Sequence, residues 1–258
     1  MNAVKEFLSI ELRLPSPPGI AVRIIDAVKD EGASFDQLGS IIESDPALAG
    51  RILRLANSQI YALPRRVKTV KMAVAVLGIN ALKNIALSFT LAETFNKAGR
   101  GRFDVDRLWR RSITAAVAAQ LISQEIGFKS EETFITSLLQ DVGIGAMFVL
   151  AHDNYLAVLD EKTATGLPVA EVERKIFGFD HQELGAELLQ TWGLPEAIYT
   201  PIRYHHDPES APQEYKPLCN VLQVSDRLSA VYHGTGKVKN FRTAQELLMK
   251  LFGFRDLI

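Results

Sequence analysis

A chain of 258 residues can hold one large domain or two small ones, each with its own core. Its 47% hydrophobic and 23% charged residues are ordinary for a soluble globular protein, and its one cysteine, Cys219, excludes an internal disulfide and fits a reducing cytoplasm. The start, MNAVKEFLSIELRLP, lacks the sustained apolar run of a signal peptide, and the longest uncharged apolar stretch, VGIGAMFVLA (142–151), is too short to span a bilayer.

Apolar residues recur with a period near 3.6 and sustained period-two alternation is nearly absent, so the expected fold class is all-α. About a dozen helices and no sheet are expected, arranged as two packed bundles. LPSPPGIAVRIIDAV (14–28) is a proline-rich entry into a helix. Ser34 and Gln37 have capping-box spacing, and Asp45-Pro46 places a cap before a proline at the first helical position. The helix that follows carries Leu48, Ile52 and Leu55 on one face and ends at Asn57-Ser58, where asparagine tolerates a left-handed cap. Asn57, Ser58 and Tyr61 read either as a capped turn with Tyr61 packed beneath it or as ligand contacts.

KAGRGR (97–102), basic and glycine-rich, is the expected linker. Asp104 caps the long helix DVDRLWRRSITAAVAAQLISQEIG, which Gly127 can end, and Gly78, Gly166, Gly178 and Gly193 punctuate other helices in the same way. SLLQDVGIGAM (137–147) sets a polar pair, Gln140-Asp141, inside a small apolar run. Asp180 and Glu183 repeat the capping-box spacing, HGTGKVKN (233–240) reads as a loop, and TAQELLMKLFGF closes the chain as a helix with Leu247, Leu248, Leu251 and Phe252 on one side. The expected divisions are a bundle over 1–98, a second over 103–232, and a loop with a docking helix over 233–258.

Charge is uneven. From Arg51 to Arg111 thirteen basic residues face three acidic ones, a local net charge of +10 that leaves −11 for everything else. This stretch reads as solvated helix faces or as a landing surface for something acidic, with Arg65, Arg66, Lys68 and Lys71 as its candidate residues. Sparse aromatics there argue against reading single strands by stacking. No G-x-S-x-G elbow, P-loop or G-x-G-x-x-G unit occurs.

Three stretches together resemble the HDOD family, bacterial signalling modules related to HD-domain and HD-GYP phosphohydrolases. They are LPSPPGIAVRIIDAV (14–28), IIESDPALAGRILRLANSQIY (41–61) with the basic segment after it, and a third that begins with LWRRS (108–112), runs through SLLQDVGIG (137–145) and ends with GFDHQELGAELLQTWGLPEAI (178–198). The likeness covers roughly residues 12–230, and it marks Asp45, Pro46, Asn57, Ser58, Tyr61 and Trp109 as structural motif residues. It implies an HD-like second bundle whose phosphohydrolase ancestors hold metal with histidines and aspartates. Carried over residue by residue, an early histidine position falls on Arg111, the His-Asp pair on Gln140-Asp141, further histidines on His181 and on His205 or His206, and a late aspartate on Asp226.

Arginine has no lone pair to give a metal, and glutamine offers only a neutral carbonyl oxygen. The cleft of Arg111, Gln140, Asp141, His181, His205, His206 and Asp226 is therefore expected to be degenerate, with no metal, no cofactor and no catalytic residue. Arg111 is expected to fork onto Asp141 where an ion would sit. The resemblance implies a non-catalytic bacterial signal-transduction module acting through a signalling protein, or through a nucleotide or cyclic dinucleotide. Two other readings stay open: a metal-dependent phosphohydrolase of nucleotides or cyclic dinucleotides, and nucleic-acid binding through the basic face.

Overall fold

The computed structural model shows side-chain oxygens of Ser34, Asp45, Thr69, Asp104 and Asp180 capping the helices that follow them. It describes residues 3–10, 19–29, 34–57, 66–79, 82, 85, 86, 89, 103–130, 132–234 and 237–253. Most of those residues are helical and there is no strand among them, so the fold is all-α. In chain order the helices are α1 (Ala3–Ile10), α2 (Gly19–Lys29), α3 (Phe35–Glu43), α4 (Pro46–Ala56) and α5 (Val70–Leu77). Then come α6 (Val105–Glu125), α7 (Thr133–Leu139), α8 (Val142–Leu150), α9 (His152–Thr165) and α10 (Val169–Phe177). The series ends with α11 (His181–Thr191), α12 (Glu196–Arg203), α13 (Lys216–Tyr232) and α14 (Lys237–Phe252). The expected linker at 97–102 lies outside the described residues.

The chain forms two compact units, one of Pro15–Thr94 and one of Met1–Leu14 with Phe95–Ile258. The first differs from the expected 1–98 bundle because α1 belongs to the other unit. The reason is aromatic: Phe7 on α1 meets Phe179 edge-on at 5.2 Å and Phe177 at 5.9 Å.

In the unit of Pro15–Thr94, Ser34 and Gln37 close a reciprocal capping box, and Asp45 Oδ1 accepts from the amides of Ala47 and Leu48 at 2.9 and 3.0 Å. Each cap satisfies amides that the first turn leaves without a partner. Ile42, Leu48, Ile52 and Val74 are buried where α3, α4 and α5 pack together. Asn57 ends α4, but not as a left-handed cap: its φ is −91°. Its side chain closes the turn instead, donating to Leu53 O at 2.7 Å and Val67 O at 2.8 Å and accepting from Val67 N at 2.8 Å. That two-way amide clamp ties the end of α4 to a residue ten positions on. Ser58, Tyr61 and Arg65 lie outside the described residues.

In the larger unit α6 runs 21 residues from the cap Asp104, whose Oδ1 accepts from Arg107 N at 2.8 Å, to the turn at Gly127, where φ is +67°. Ala115, Ala116 and Ala119 are fully buried on α6, and their small side chains let α13 and α7 pack close to it. α14 begins at Lys237, four residues inside the stretch expected to be a loop, since nothing in KVKN breaks a helix. Its Leu248 is buried with Ala119, Ile122, Val221 and Val224, and Leu247, Leu251 and Phe252 pack on that cluster.

α7 and α8 together pass the length and composition test for a membrane span over Thr133–Leu150, longer than the uncharged run read from the sequence because a single charge, Asp141, interrupts it. Nearly all of that span is buried inside the unit, as a core segment would be, and a turn at Gln140-Asp141 divides it into two helices. The turn delivers a carboxylate to the centre of the bundle.

Candidate functional site

Asp141 occupies the position before the first turn of α8, yet its side chain makes no capping hydrogen bond. It is 4% exposed and faces imidazoles instead: its Oδ1 lies 3.7 Å from His181 Nε2 and 3.8 Å from His205 Nε2. A backbone crossing brings these groups together. A Cβ on Gly143 would fall 2.0 Å from the carbonyl oxygen of His181, and Gly185 on α11 faces the Gly143 amide. With no side chain at either position, the start of α8 rests directly on the first turn of α11.

His181 opens α11 after the capping box of Asp180 and Glu183. Its outer nitrogen, Nδ1, is 2.5 Å from Glu173 Oε2 on α10, and the same carboxylate oxygen accepts the His181 backbone N–H at 3.0 Å. Tyr155 on α9 donates to the other oxygen, Oε1, at 3.3 Å. Burial lowers the His181 pKa, but the charge and hydrogen bond of Glu173 outweigh it, helped by Asp141 and Asp180, and lift it from 6.5 to about 9. The imidazole Nε2 lies 3.2 Å from His206 Nε2.

His205 and His206 follow α12 in a turn held from two sides. Gln182 Oε1 accepts from His206 N at 2.9 Å, and Gln223 Nε2 donates to His206 O at 3.2 Å. His205 Nδ1 bonds the carbonyl of Ile202 at 2.7 Å, so that nitrogen carries the hydrogen and Nε2 keeps a bare lone pair. That Nε2 is buried and has no hydrogen-bond partner among the described residues. Burial, together with the neighbouring His181, lowers the His205 pKa; burial with His205 and His181 takes His206 well below 6.5.

Arg111 on α6 does not fork onto Asp141 as expected. Its Nη2 donates to Asp226 Oδ1 on α13 at 2.8 Å. Asp141 acts on it only through charge: burial opposes ionisation, but Asp226 and Asp141 together outweigh it and raise the Arg111 pKa. The sequence misplaces the partner because α6 and α13 lie against each other along their length, which only tertiary packing decides. Gln140 is fully buried, and neither atom of its amide has a hydrogen-bond partner among the described residues.

The larger unit thus brings together Arg111 with Asp226, and Asp141 with His181, His205 and His206. Trp109 is buried on α6. Asp45, Pro46 and Asn57 shape the unit of Pro15–Thr94, where Arg66, Lys68 and Lys71 are exposed and Lys71 Nζ comes no nearer than 3.9 Å to Asp36 Oδ1. Glu173 and Tyr155 were not legible as site residues. A signal for Glu173 existed: it continues the stripe of Val169, Val172 and Ile176 with Ala170 and Phe177, an acid on an otherwise apolar helix face.

The HDOD domain family model matches residues 14–208. The chain belongs to the HDOD domain family. The HDOD domain protein of unknown function from Geobacter sulfurreducens superposes with a TM-score of 0.81 over 98% of this chain and 89% of its own, at 24% identity. A protein of Shewanella amazonensis SB2B, provisionally named a phosphohydrolase, gives 0.78 over 98% and 89% at 22% identity. An uncharacterized protein of Treponema pallidum (strain Nichols) is 26% identical over 212 residues, 81% of this chain; the chain spans 40% of that relative's length. These likenesses show a shared fold.

An HD-type centre calls for a metal, and this HDOD module fits one only in half. Around Arg111 and Gln140 the donors are wrong: a guanidinium already bonded to Asp226, and a neutral amide. Around His181, His205 and His206 they suit an ion, since one ligand nitrogen from each lies within 4.8 Å of the others.

Proposed function

We propose that this HDOD chain is a non-catalytic regulatory module of bacterial signal transduction, working in the cytoplasm through contact with a signalling protein, or with a nucleotide or cyclic dinucleotide. The observation that carries this reading is the 2.8 Å pair of Arg111 and Asp226. Phosphoryl hydrolysis by an HD centre needs cations that polarise the phosphoryl oxygen and lower the pKa of a bound water. A guanidinium supplies positive charge but no open coordination position. Here it is also committed to a carboxylate that an ion would need.

A phosphohydrolase is the second reading, and the imidazole cluster beside Asp141 is what favours it. The two are separated by assaying the purified chain, with manganese or iron(II) added, against cyclic dinucleotides, nucleotides and a generic phosphodiester. The regulatory reading expects no turnover above a metal-only blank. Turnover that disappears in Asp141→Ala would replace it with the hydrolytic one.

A further inference from the structure

We infer that α5 and the basic segment leading into it are a docking surface for an acidic amphipathic helix of a partner protein. This deepens the regulatory reading and rests on it, since it says where a signalling protein would be gripped. The surface lies wholly within the unit of Pro15–Thr94.

The first observation is a helix with two apolar faces and cover for one. α5, VKMAVAVL, carries a single polar residue, Lys71. Val70, Ala73 and Val74 are buried, and α5 packs on α3 and α4. Met72, Ala75 and Val76, at i, i+3 and i+4, face outward instead, with Met72 40% and Val76 42% exposed. A helix that is apolar all round belongs in an interior, whereas an ordinary surface helix turns polar residues to water.

The second observation is charge. From Pro46 to Ala92 the sequence holds seven basic residues and no acidic one. Three of those bases, Arg66, Lys68 and Lys71, are exposed just before α5 or in its first turn. Lys71 Nζ lies 3.9 Å from Asp36 Oδ1 on α3, but these side chains are 84% and 88% exposed, so water screens the pair. The apolar patch is thus edged by cations that their own segment does not neutralise.

The third is that the surface is held in place. Asn57 grips both the N–H and the C=O of Val67 at 2.8 Å, and Val67 is buried while Arg66 and Lys68 on either side are exposed. Thr69 Oγ1 then accepts from Met72 N at 3.1 Å and starts α5. A backbone fixed in advance lowers the ordering cost of binding.

These features select the occupant. Apolar anchors one turn apart fit a helix that presents its own side chains at i and i+3 or i+4, and carboxylates beside them would meet the cations. A lipid surface fits less well, because interfacial helices insert Trp, Phe or Leu, and the outward side chains here are methionine, alanine and valine. Nucleic acid would leave the apolar patch uncovered, and no aromatic residue occurs between Arg66 and Leu77 to stack on a base. Methionine adapts its shape to a partner, which suits a signalling contact.

The test titrates the full chain with a synthetic amphipathic helix of about 15 residues, bearing leucine at i, i+3, i+4 and i+7 and glutamate on its flanks. A control peptide replaces each glutamate by lysine. Amide chemical shifts should move at Lys68, Lys71, Met72 and Val76, with a Kd on the order of 10–100 μM for the acidic peptide. The lysine peptide should bind at least about tenfold more weakly, and raising salt from about 50 to 300 mM should weaken the acidic one several-fold. Met72→Asp and Lys71→Glu, both at exposed positions, should each lower its affinity at least about tenfold and leave Tm unchanged. No binding, equal binding of both peptides, or shifts confined to other residues would overturn the inference. So would concentration-dependent shifts of these residues without peptide, which would make the occupant a second copy. Tighter binding to phosphatidylglycerol vesicles or to a DNA duplex than to the peptide would also overturn it. If the peptide does not bind and the chain shows no metal-dependent turnover, only the surface falls. Turnover that disappears in Asp141→Ala strikes the regulatory reading instead, whether or not the peptide binds.

Discussion

Arg111 on α6 donates to Asp226 on α13 at 2.8 Å, and its side chain is 23% exposed against 9% for the aspartate. The pair spans the two long helices that form the spine of the larger unit. Removing one partner leaves the other charge in a poorly solvated place, and this cost exceeds what the pair itself contributes. Asp226→Asn and Arg111→Ala are each expected to lower the free energy of unfolding by about 3 kcal/mol. Arg111→Met with Asp226→Leu should recover most of that loss, because an apolar pair leaves no charge stranded. Urea denaturation of the two single variants and the double variant measures the loss and its recovery. Single-variant losses below about 0.5 kcal/mol would place the pair with ordinary surface ion pairs.

The Gly143–Gly185 crossing makes a sharper contrast. Gly143→Ala puts a methyl 2.0 Å from a backbone oxygen that cannot swing aside. Gly185→Ala meets the Gly143 amide and a Val142 methyl at 3.2 Å, a contact that a small shift relieves. The first is expected to cost at least about 3 kcal/mol or to yield no folded protein. The second should be within about 1 kcal/mol of wild type, since alanine's helix preference offsets the crowding. Thermal melts followed by circular dichroism decide it, and equal losses for the two would contradict the geometry.

Much of this was legible in the sequence because caps and periodicity are local. Ser34, Asp45, Asp104 and Asp180 each cap the helix that their spacing predicts. Membership of the site was legible through the family resemblance, but its wiring was not. Whether Arg111 meets Asp141 or Asp226, 115 positions away, depends on how α6 and α13 pack. Glu173 was missed because one acid on an amphipathic helix differs from its neighbours only in the direction it faces.

To the backbone bond from its N–H to Leu53 O, Asn57 adds three side-chain hydrogen bonds of 2.7–2.8 Å. At about 0.5–1.5 kcal/mol net for each bond, with discount for exposure, Asn57→Ala should cost about 2 kcal/mol. Asn57→Asp is the informative companion. It keeps the acceptor for Val67 N but turns the two donations, to Leu53 O and Val67 O, into repulsions. It should therefore be no better than alanine. Hydrogen exchange should show the loss in the unit of Pro15–Thr94, at the end of α4 and around Val67. Wild-type stability in Asn57→Asp would mean that the Val67 amide is the only contact that counts.

Cys219 offers a pH test that stays clear of the imidazoles. It sits on α13, fully buried, with its thiol directed at Pro201 O, 3.7 Å away. Burial pushes its pKa from 9.0 up to about 12. The thiolate is the reactive form, so at pH 8 the folded protein holds roughly a thousandfold less of it than an ordinary cysteine would. Alkylation should be negligible in native buffer and rapid in denaturant. The same shift has a stability consequence of definite sign. Below pH 9 the thiol is neutral in both states and nothing is lost. From pH 9 toward 12 only the unfolded chain ionises, so unfolding becomes progressively easier. Cys219→Ala should remove that part of the alkaline decline, seen as a flatter dependence of the urea midpoint on pH between roughly 8.5 and 10.5 than in the parent. Parallel curves for the two proteins would show that the thiol does not control this limb.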